Sequence, residues 1–171
     1  MKQSATLDSS FWINAHRSGL VSHLLDAYEL FYEPTVAAER DKAFPSGREF
    51  WRLARQGFLT ARPAITHRVR EFGVGERAAM SLALDHPGWL LFLDDYRPYQ
   101  AAVRLGIRVV CTPVLVVSFF VDGRLDTREA LFALARLAAL QTVSPHLLAA
   151  ALAQVARTTQ PREGGQIGHG A

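Results

Sequence analysis

Hydrophobic residues along this chain fall into two spacings. Short apolar runs bounded by charged or turn residues read as strands: Ala5–Leu7, ending at Asp8; "ELFYE", Glu29–Glu33, ending at Pro34; "WLLFLDD", Trp89–Asp95; and "IRVVC", Ile107–Cys111. The third run is continuous and not alternating, which is the pattern of a strand covered on both faces. "FLTARPAITHRV", Phe58–Val69, has room for a further strand interrupted by Pro63. Between these runs the apolar residues recur at helical spacing. Helices are expected over "DSSFWINAHRSGL", capped by Asp8, Ser9 or Ser10, and over "LVSHLLDAY", with Leu20, Val21, Leu24, Leu25 and Tyr28 on one side. "PTVAAERDKA", "PSGREFWRLARQG", "GERAAMSLALDHPG" and "RPYQAAVRLG" follow the same rule. Three successive helices close the chain: "PVLVVSFFVDG", "TREALFALARLAALQ" with a cap at Asp126 or Thr127, and "SPHLLAAALAQVAR" with a cap at Ser144. Periodicity stops at Thr158, so residues 1–157 read as one domain and 158–171 as a disordered tail.

Strands alternating with helices predict an α/β domain around a mostly parallel sheet. In such sheets, sites form outside the carboxyl ends of the strands. Acidic residues fall there or at adjoining helices: Asp8 after the first strand, the Asp94/Asp95 pair after the central one, Glu39 in the helix after the second, and Glu76 at the start of the helix after Gly75. Gathered carboxylates repel one another and bind protons unless a cation compensates. Oxygen donors alone select Mg²⁺ or Mn²⁺, and such an ion suits a phosphodiester substrate. Each acid has a plainer alternative. Asp8 can be a helix cap, Glu76 a partner of the helix dipole, and Glu39 a solvated residue beside Arg40. A cap needs one residue, so the Asp94/Asp95 pair is the most informative of the set.

Composition narrows the field without deciding it. Apolar residues make up 49% of the 171 and charged residues 20%, as in a globular domain. A net charge of +3, from 19 Lys and Arg against 16 Asp and Glu, permits a polyanionic partner without demanding one. The single cysteine, Cys111, excludes an internal disulfide and a cysteine zinc site. None of the 6 histidines falls in an H-x-x-x-H pair, which argues against a zinc hydrolase. No apolar run approaches the ~20 residues of a membrane span, and Met1–Ser10 lacks the apolar core of a signal peptide, so a cytoplasmic protein without membrane contact is expected.

Four pieces, in order, resemble PIN-domain proteins, specifically a prokaryotic branch with a "GE" helix and a "DD" strand end: "LDSSFWIN" (Leu7–Asn14), "EPTVAAE" (Glu33–Glu39), "GERAAMSLALD" (Gly75–Asp85) and "LLFLDDYRPYQAAVRLGIRVVCT" (Leu90–Thr112). With their order they cover most of residues 5–150. The last piece is the most specific, because strand, DD, Ala-rich helix, LGI, strand and Thr all align. The resemblance implies a three-layer α/β/α sandwich with extra C-terminal helices and an acidic Mg²⁺ or Mn²⁺ site. It implies a ribonuclease, and toxins of toxin–antitoxin pairs are common in the family. Carried over by position, Asp8, Glu39 and Glu76 are the first three acids. The fourth is the Asp94/Asp95 pair, with Asp95 ranked ahead because the family's Thr-x-Asp strand end places the acid there. Ser10 matches a small polar position suited to hydrogen-bonding a metal-bound water. Three departures concern substrate handling: Ala79 where a second Glu is usual, Tyr96 where a basic residue follows DD, with the Arg one later at Arg97, and Cys111 where Gly is usual.

Two functions follow. The first is a metal-dependent ribonuclease in which Asp8, Glu39, Glu76 and Asp95 act on RNA, with Asp94 beside them at the metal. Arg48, Arg52, Arg55 and Arg97 are its candidate RNA contacts. The segment Phe44–Val69 is rich in Arg and aromatic residues, as in a stacking platform, although core packing of Phe50 and Trp51 with solvated arginines is the favoured reading of it. An antitoxin protein and a second copy of the chain are candidate partners, the latter because the C-terminal helices are rich in Ala and Leu. The alternative is a catalytically inactive PIN-like module that binds nucleic acid or protein.

Overall fold

The computed structural model of the protein describes residues 1–38 and 43–159. The expected second acid, Glu39, and part of the expected "PTVAAERDKA" helix lie outside the described residues. Five strands are present: β1 (Gln3–Leu7), β2 (Tyr28–Tyr32), β3 (Leu59–Ala61), β4 (Leu90–Phe92) and β5 (Arg108–Val110). The helices are α1 (Ser9–Arg17), α2 (Val21–Ala27), α3 (Pro34–Ala38), α4 (Pro45–Arg55), α5 (Val74–Asp85), α6 (Tyr96–Arg104), α7 (Thr112–Val121), α8 (Thr127–Leu140) and α9 (Pro145–Thr159). The sheet runs in the order β3-β2-β1-β4-β5 and every pairing is parallel.

Period-two alternation divides the core between the two faces of this sheet. Ala5, Leu7, Leu90 and Phe92 point into one cluster with Phe11, Trp12, Leu115, Phe119, Leu134 and Val155. Leu91 and Leu93 point into the other, with Val36, Ala79, Met80 and Ala102. The continuous apolar run of β4 is therefore buried on both sides, in a three-layer α/β/α sandwich. Phe92 stacks on Phe11 with ring centroids 4.7 Å apart, which ties the centre of the sheet to α1.

Local chemistry sets the ends of several elements. The chain after α4 enters β3, whose last rung is the Arg62 N–H on the Tyr32 carbonyl at 2.9 Å. Pro63 then has no N–H to continue it. Tyr28, expected in α2, is instead extended and opens β2, where its ring meets Phe92 edge-on at 5.0 Å. Asp126 caps α8 by accepting the Glu129 N–H at 2.7 Å, and the Glu129 carboxylate accepts the Asp126 N–H in return. Helix α9 continues through Thr159, two residues past the expected boundary; the remainder of the expected tail lies outside the described residues. No helix among the described residues is long and apolar enough to cross a membrane.

Candidate active site

The strand order changes direction between β1 and β4. The chain steps outward from β1 through β2 to β3, then returns to the other side of β1 for β4 and β5. After β1 the chain joins the face that packs α1; after β4 it joins the face that packs α6. A crevice opens beyond the carboxyl ends at such a switch. Leu7 pairs with Phe92 in register, so Asp8 and Asp94 flank this crevice from neighbouring strands.

Both carboxylates are buried, Asp8 at 2% exposure and Asp94 at 1%. Asp8 caps α1. Its Oδ1 accepts the Phe11 N–H at 2.8 Å, and its Oδ2 accepts the Ser10 N–H at 3.1 Å and the Ser10 hydroxyl at 2.8 Å. Asp94 is held from two other elements. Its Oδ1 accepts the Thr112 N–H at 2.6 Å, and its Oδ2 accepts the Thr112 hydroxyl and the Asn14 carboxamide, the latter at 2.6 Å. A carboxylate offers about four acceptor sites. In each residue three donors are bound, and the open site is on Oδ1.

No Lys or Arg among the described residues forms an ion pair with either acid. Burial pushes the Asp8 carboxyl up to about 7 from 3.8, against the lowering pull of its three hydrogen bonds, and the charge of Asp94 adds to the rise. Burial also raises Asp94, opposed by the bonds from Thr112 and Asn14 and reinforced by Asp95. Two buried carboxylates, with orienting donors already in place and no Lys or Arg paired with them among the described residues, offer oxygen ligands that fit a hard divalent ion. Mg²⁺ commonly binds through one or two carboxylates plus waters and phosphates, so a third protein ligand is not required. Among the described residues no group of three His, Cys, Asp or Glu stands close enough to hold a metal by itself.

The other sequence-predicted residues take different places. Asp95 stands at the N-cap position of α6, half-buried, and its side chain makes no capping bond. The Ser10 hydroxyl is spent on Asp8. Glu76, in the first turn of α5, accepts the Gly73 N–H at 2.6 Å; glycine has no side chain, so only the returning half of a capping box is made. Arg97 is exposed in the first turn of α6, directly after the acids. Arg48 is exposed in the first turn of α4, which Trp12 holds near α1 by donating to the Ser46 carbonyl at 2.8 Å. Arg52 is bound to Glu49 at 2.7 and 2.8 Å and to Gln56 at 2.7 Å. Arg55 lies in the last turn of α4, which leads into the start of β3, at the sheet edge opposite Asp8. Phe50 is buried and Trp51 packs against the core, so neither forms a stacking surface.

Residues not singled out from the sequence complete the site. Asn14 is buried in the apolar face of α1, and Thr142 donates its hydroxyl to the Asn14 Oδ1 at 2.7 Å. A polar residue between Phe11, Trp12 and Ala15 was the available signal for Asn14, since a buried amide needs partners. Thr112 follows β5 after Cys111 and is the first residue of α7. Glu33, level with Asp8 beyond β2, is buried and accepts the Thr35 N–H at 2.6 Å at the start of α3.

A family model described as "PIN domain" matches residues 5–157. The chain belongs to the PIN-domain family. No curated protein matches it. Among solved structures this PIN domain is similar to the PIN domain endonuclease Utp24, at 15% identity over 64% of this chain and 84% of that one, with a TM-score of 0.49. In this PIN domain the described acids at the switch point are Asp8, Asp94 and Asp95.

Proposed function

We propose that this PIN domain is a divalent-metal-dependent ribonuclease. The carrying observation is the pair of buried carboxylates, Asp8 and Asp94, on either side of the switch-point crevice, neither paired with a Lys or Arg among the described residues and each with an acceptor site open. Membership of the PIN-domain family supports a nuclease-type activity; RNA as substrate and Mg²⁺ or Mn²⁺ as the ion belong to the proposal. Asp8 and Asp94 would hold the divalent ion, which when bound would supply charge for the phosphate oxygens and a more acidic water. Asp8 is fixed by Ser10 and Phe11, and Asp94 by Thr112 and Asn14, so neither needs to reorganise as charge develops. Asp95, half-buried and free of a capping bond, is the carboxylate best placed to orient a water and take its proton. Arg97 and Arg48, exposed at the same edge, contact backbone phosphates.

Incubation with labelled RNA and Mn²⁺ tests this reading, with single-stranded DNA and EDTA as parallel arms. Cleavage of RNA that EDTA stops, and that falls at least about 100-fold in Asp8→Asn and Asp94→Asn, supports it. Cleavage indifferent to both substitutions overturns it. A toxin paired with an antitoxin protein is the biological setting proposed; expression that slows growth in the wild type and not in Asp94→Asn supports that setting.

One observation favours a non-catalytic interaction module instead. Phe132 and Leu131 on α8, with Leu152 on α9, leave large apolar side chains exposed, Phe132 at 57%. Absence of Mn²⁺ binding together with a dimer in solution supports this second reading.

A further inference from the structure

The turn between α8 and α9 reaches back to the acidic crevice. Helix α8 ends at Leu140, and Gln141 follows in the left-handed region at φ 54°. A side chain there is disfavoured, and the conformation persists because it redirects the chain. Thr142, the next residue, sits on the surface, yet its hydroxyl donates inward to Asn14 Oδ1 at 2.7 Å, across 128 positions of sequence. The other end of the same carboxamide donates to Asp94 Oδ2 at 2.6 Å.

The orientation of that amide has a consequence for Asp94. A carboxamide can turn over, exchanging its oxygen and nitrogen. With the nitrogen toward Asp94 it supports the ionised carboxylate. Turned over, it presents an oxygen, and Asp94 Oδ2 loses that donor. Thr142 anchors the far end of the amide, its hydroxyl donating to the amide oxygen while the nitrogen faces Asp94. Asp94 Oδ2 keeps an N–H donor only while the amide nitrogen faces it, so the placement of the amide bears directly on how the carboxylate is held.

We propose that Thr142 is a positioning residue for Asp94, acting through Asn14, so that the C-terminal helical pair is part of the active site and not only of the core. The inference rests on the metal-dependent reading above. It concerns the chain's own hydrogen-bonded relay, which can be observed without metal.

The test uses full-length protein and the variants Thr142→Val and Thr142→Ser. Valine keeps the shape and removes the hydroxyl; serine keeps the hydroxyl. Nitrogen–proton NMR of the metal-free protein reads the Asn14 side-chain NH₂, assigned by its loss in Asn14→Leu; if that variant does not fold, selective asparagine labelling and through-bond assignment replace it. A distinct, slowly exchanging NH₂ pair is expected in wild type and Thr142→Ser, with faster exchange and a shifted pair in Thr142→Val. Calorimetric titration with Mn²⁺ then gives the functional consequence: weakening by about tenfold or more in Thr142→Val, with Thr142→Ser within about twofold of wild type, as for other residues that orient a ligand. Melting temperatures within a few degrees separate this from unfolding, because Thr142 is a surface residue. An Asn14 pair unchanged by Thr142→Val, or equal Mn²⁺ affinities in wild type and Thr142→Val, overturns the inference. Wild-type protein that binds no Mn²⁺ overturns the metal reading and the functional half of the inference, while the NMR result still decides whether Thr142 orients Asn14.

Discussion

Asp8 carries two roles that pull against each other. As a cap it stabilises α1 through hydrogen bonds; as a buried charge without a cation it destabilises the fold. Its carboxyl is raised to about 7 from 3.8, so between those values the folded state holds a proton that the unfolded state has released. Unfolding free energy therefore falls as pH rises through that window and levels off above it. Asp94 is shifted in the same direction and adds to the trend. In EDTA, urea denaturation is expected to show lower stability at pH 8 than at pH 5, by up to about 2.5 kcal/mol from Asp8. Saturating Mg²⁺ is expected to shrink the difference, since binding favours the ionised form. Asp8→Asn retains a good capping residue and removes the charge. It is expected to raise metal-free stability at pH 8 by about 1–3 kcal/mol while abolishing Mn²⁺ binding in calorimetry. At this scale the acids at strand ends were legible in the sequence, because a carboxylate placed after an apolar run is conspicuous. Their partners were less so. Asn14 and Thr112 become significant only when β1, β4 and β5 stand side by side, and Thr142 only when the last turn is folded back over α1.

The elements themselves were largely legible. Caps and breakers at Asp8, Asp126 and Gly106 mark them locally, and the two periodicities do not overlap over long segments. Errors fell where tertiary contact overrides local pattern. Tyr28 fits the apolar side of α2 by spacing, but its edge-on contact with Phe92 places it in a strand. The β3 region was ambiguous because three paired residues on a sheet edge leave little periodicity to read. Helix α8 depends on an explicit N-terminal signal, the reciprocal Asp126–Glu129 bonds. Asp126→Ala is expected to cost about 1 kcal/mol. Equilibrium denaturation should show this as a lower midpoint with an unchanged slope. Because α8 carries the turn that bears Thr142, the same variant is expected to speed exchange of the Asn14 NH₂.

For the molecule as a whole, charge is unevenly relevant to a phosphate-bearing ligand. The net charge of +3 is modest, so RNA affinity depends on where the arginines stand relative to the crevice more than on their number. Arg48 and Arg97 stand at the edge that bears the acids, Arg55 at the opposite edge, and Arg52 is already paired with Glu49. In a cleavage-deficient Asp8→Asn background, Arg97→Ala and Arg48→Ala are each expected to weaken single-stranded RNA binding and to shallow its salt dependence by about 0.7 in slope. Arg55→Ala is expected to leave that slope unchanged; fluorescence anisotropy across a salt series makes the comparison. The parallel order of the sheet adds a temporal consequence. Asp8, Asn14, Asp94 and Thr112 all precede Thr142 in the chain, so both halves of the crevice emerge before the hydroxyl that holds Asn14. Domains fold as their segments emerge, so a nascent chain in which the turn between α8 and α9 has not yet formed has Asp94 held by Thr112 and an Asn14 amide without its far-side partner. On the proposed metal-dependent reading, the crevice would thereby stay weak for metal until that turn closes.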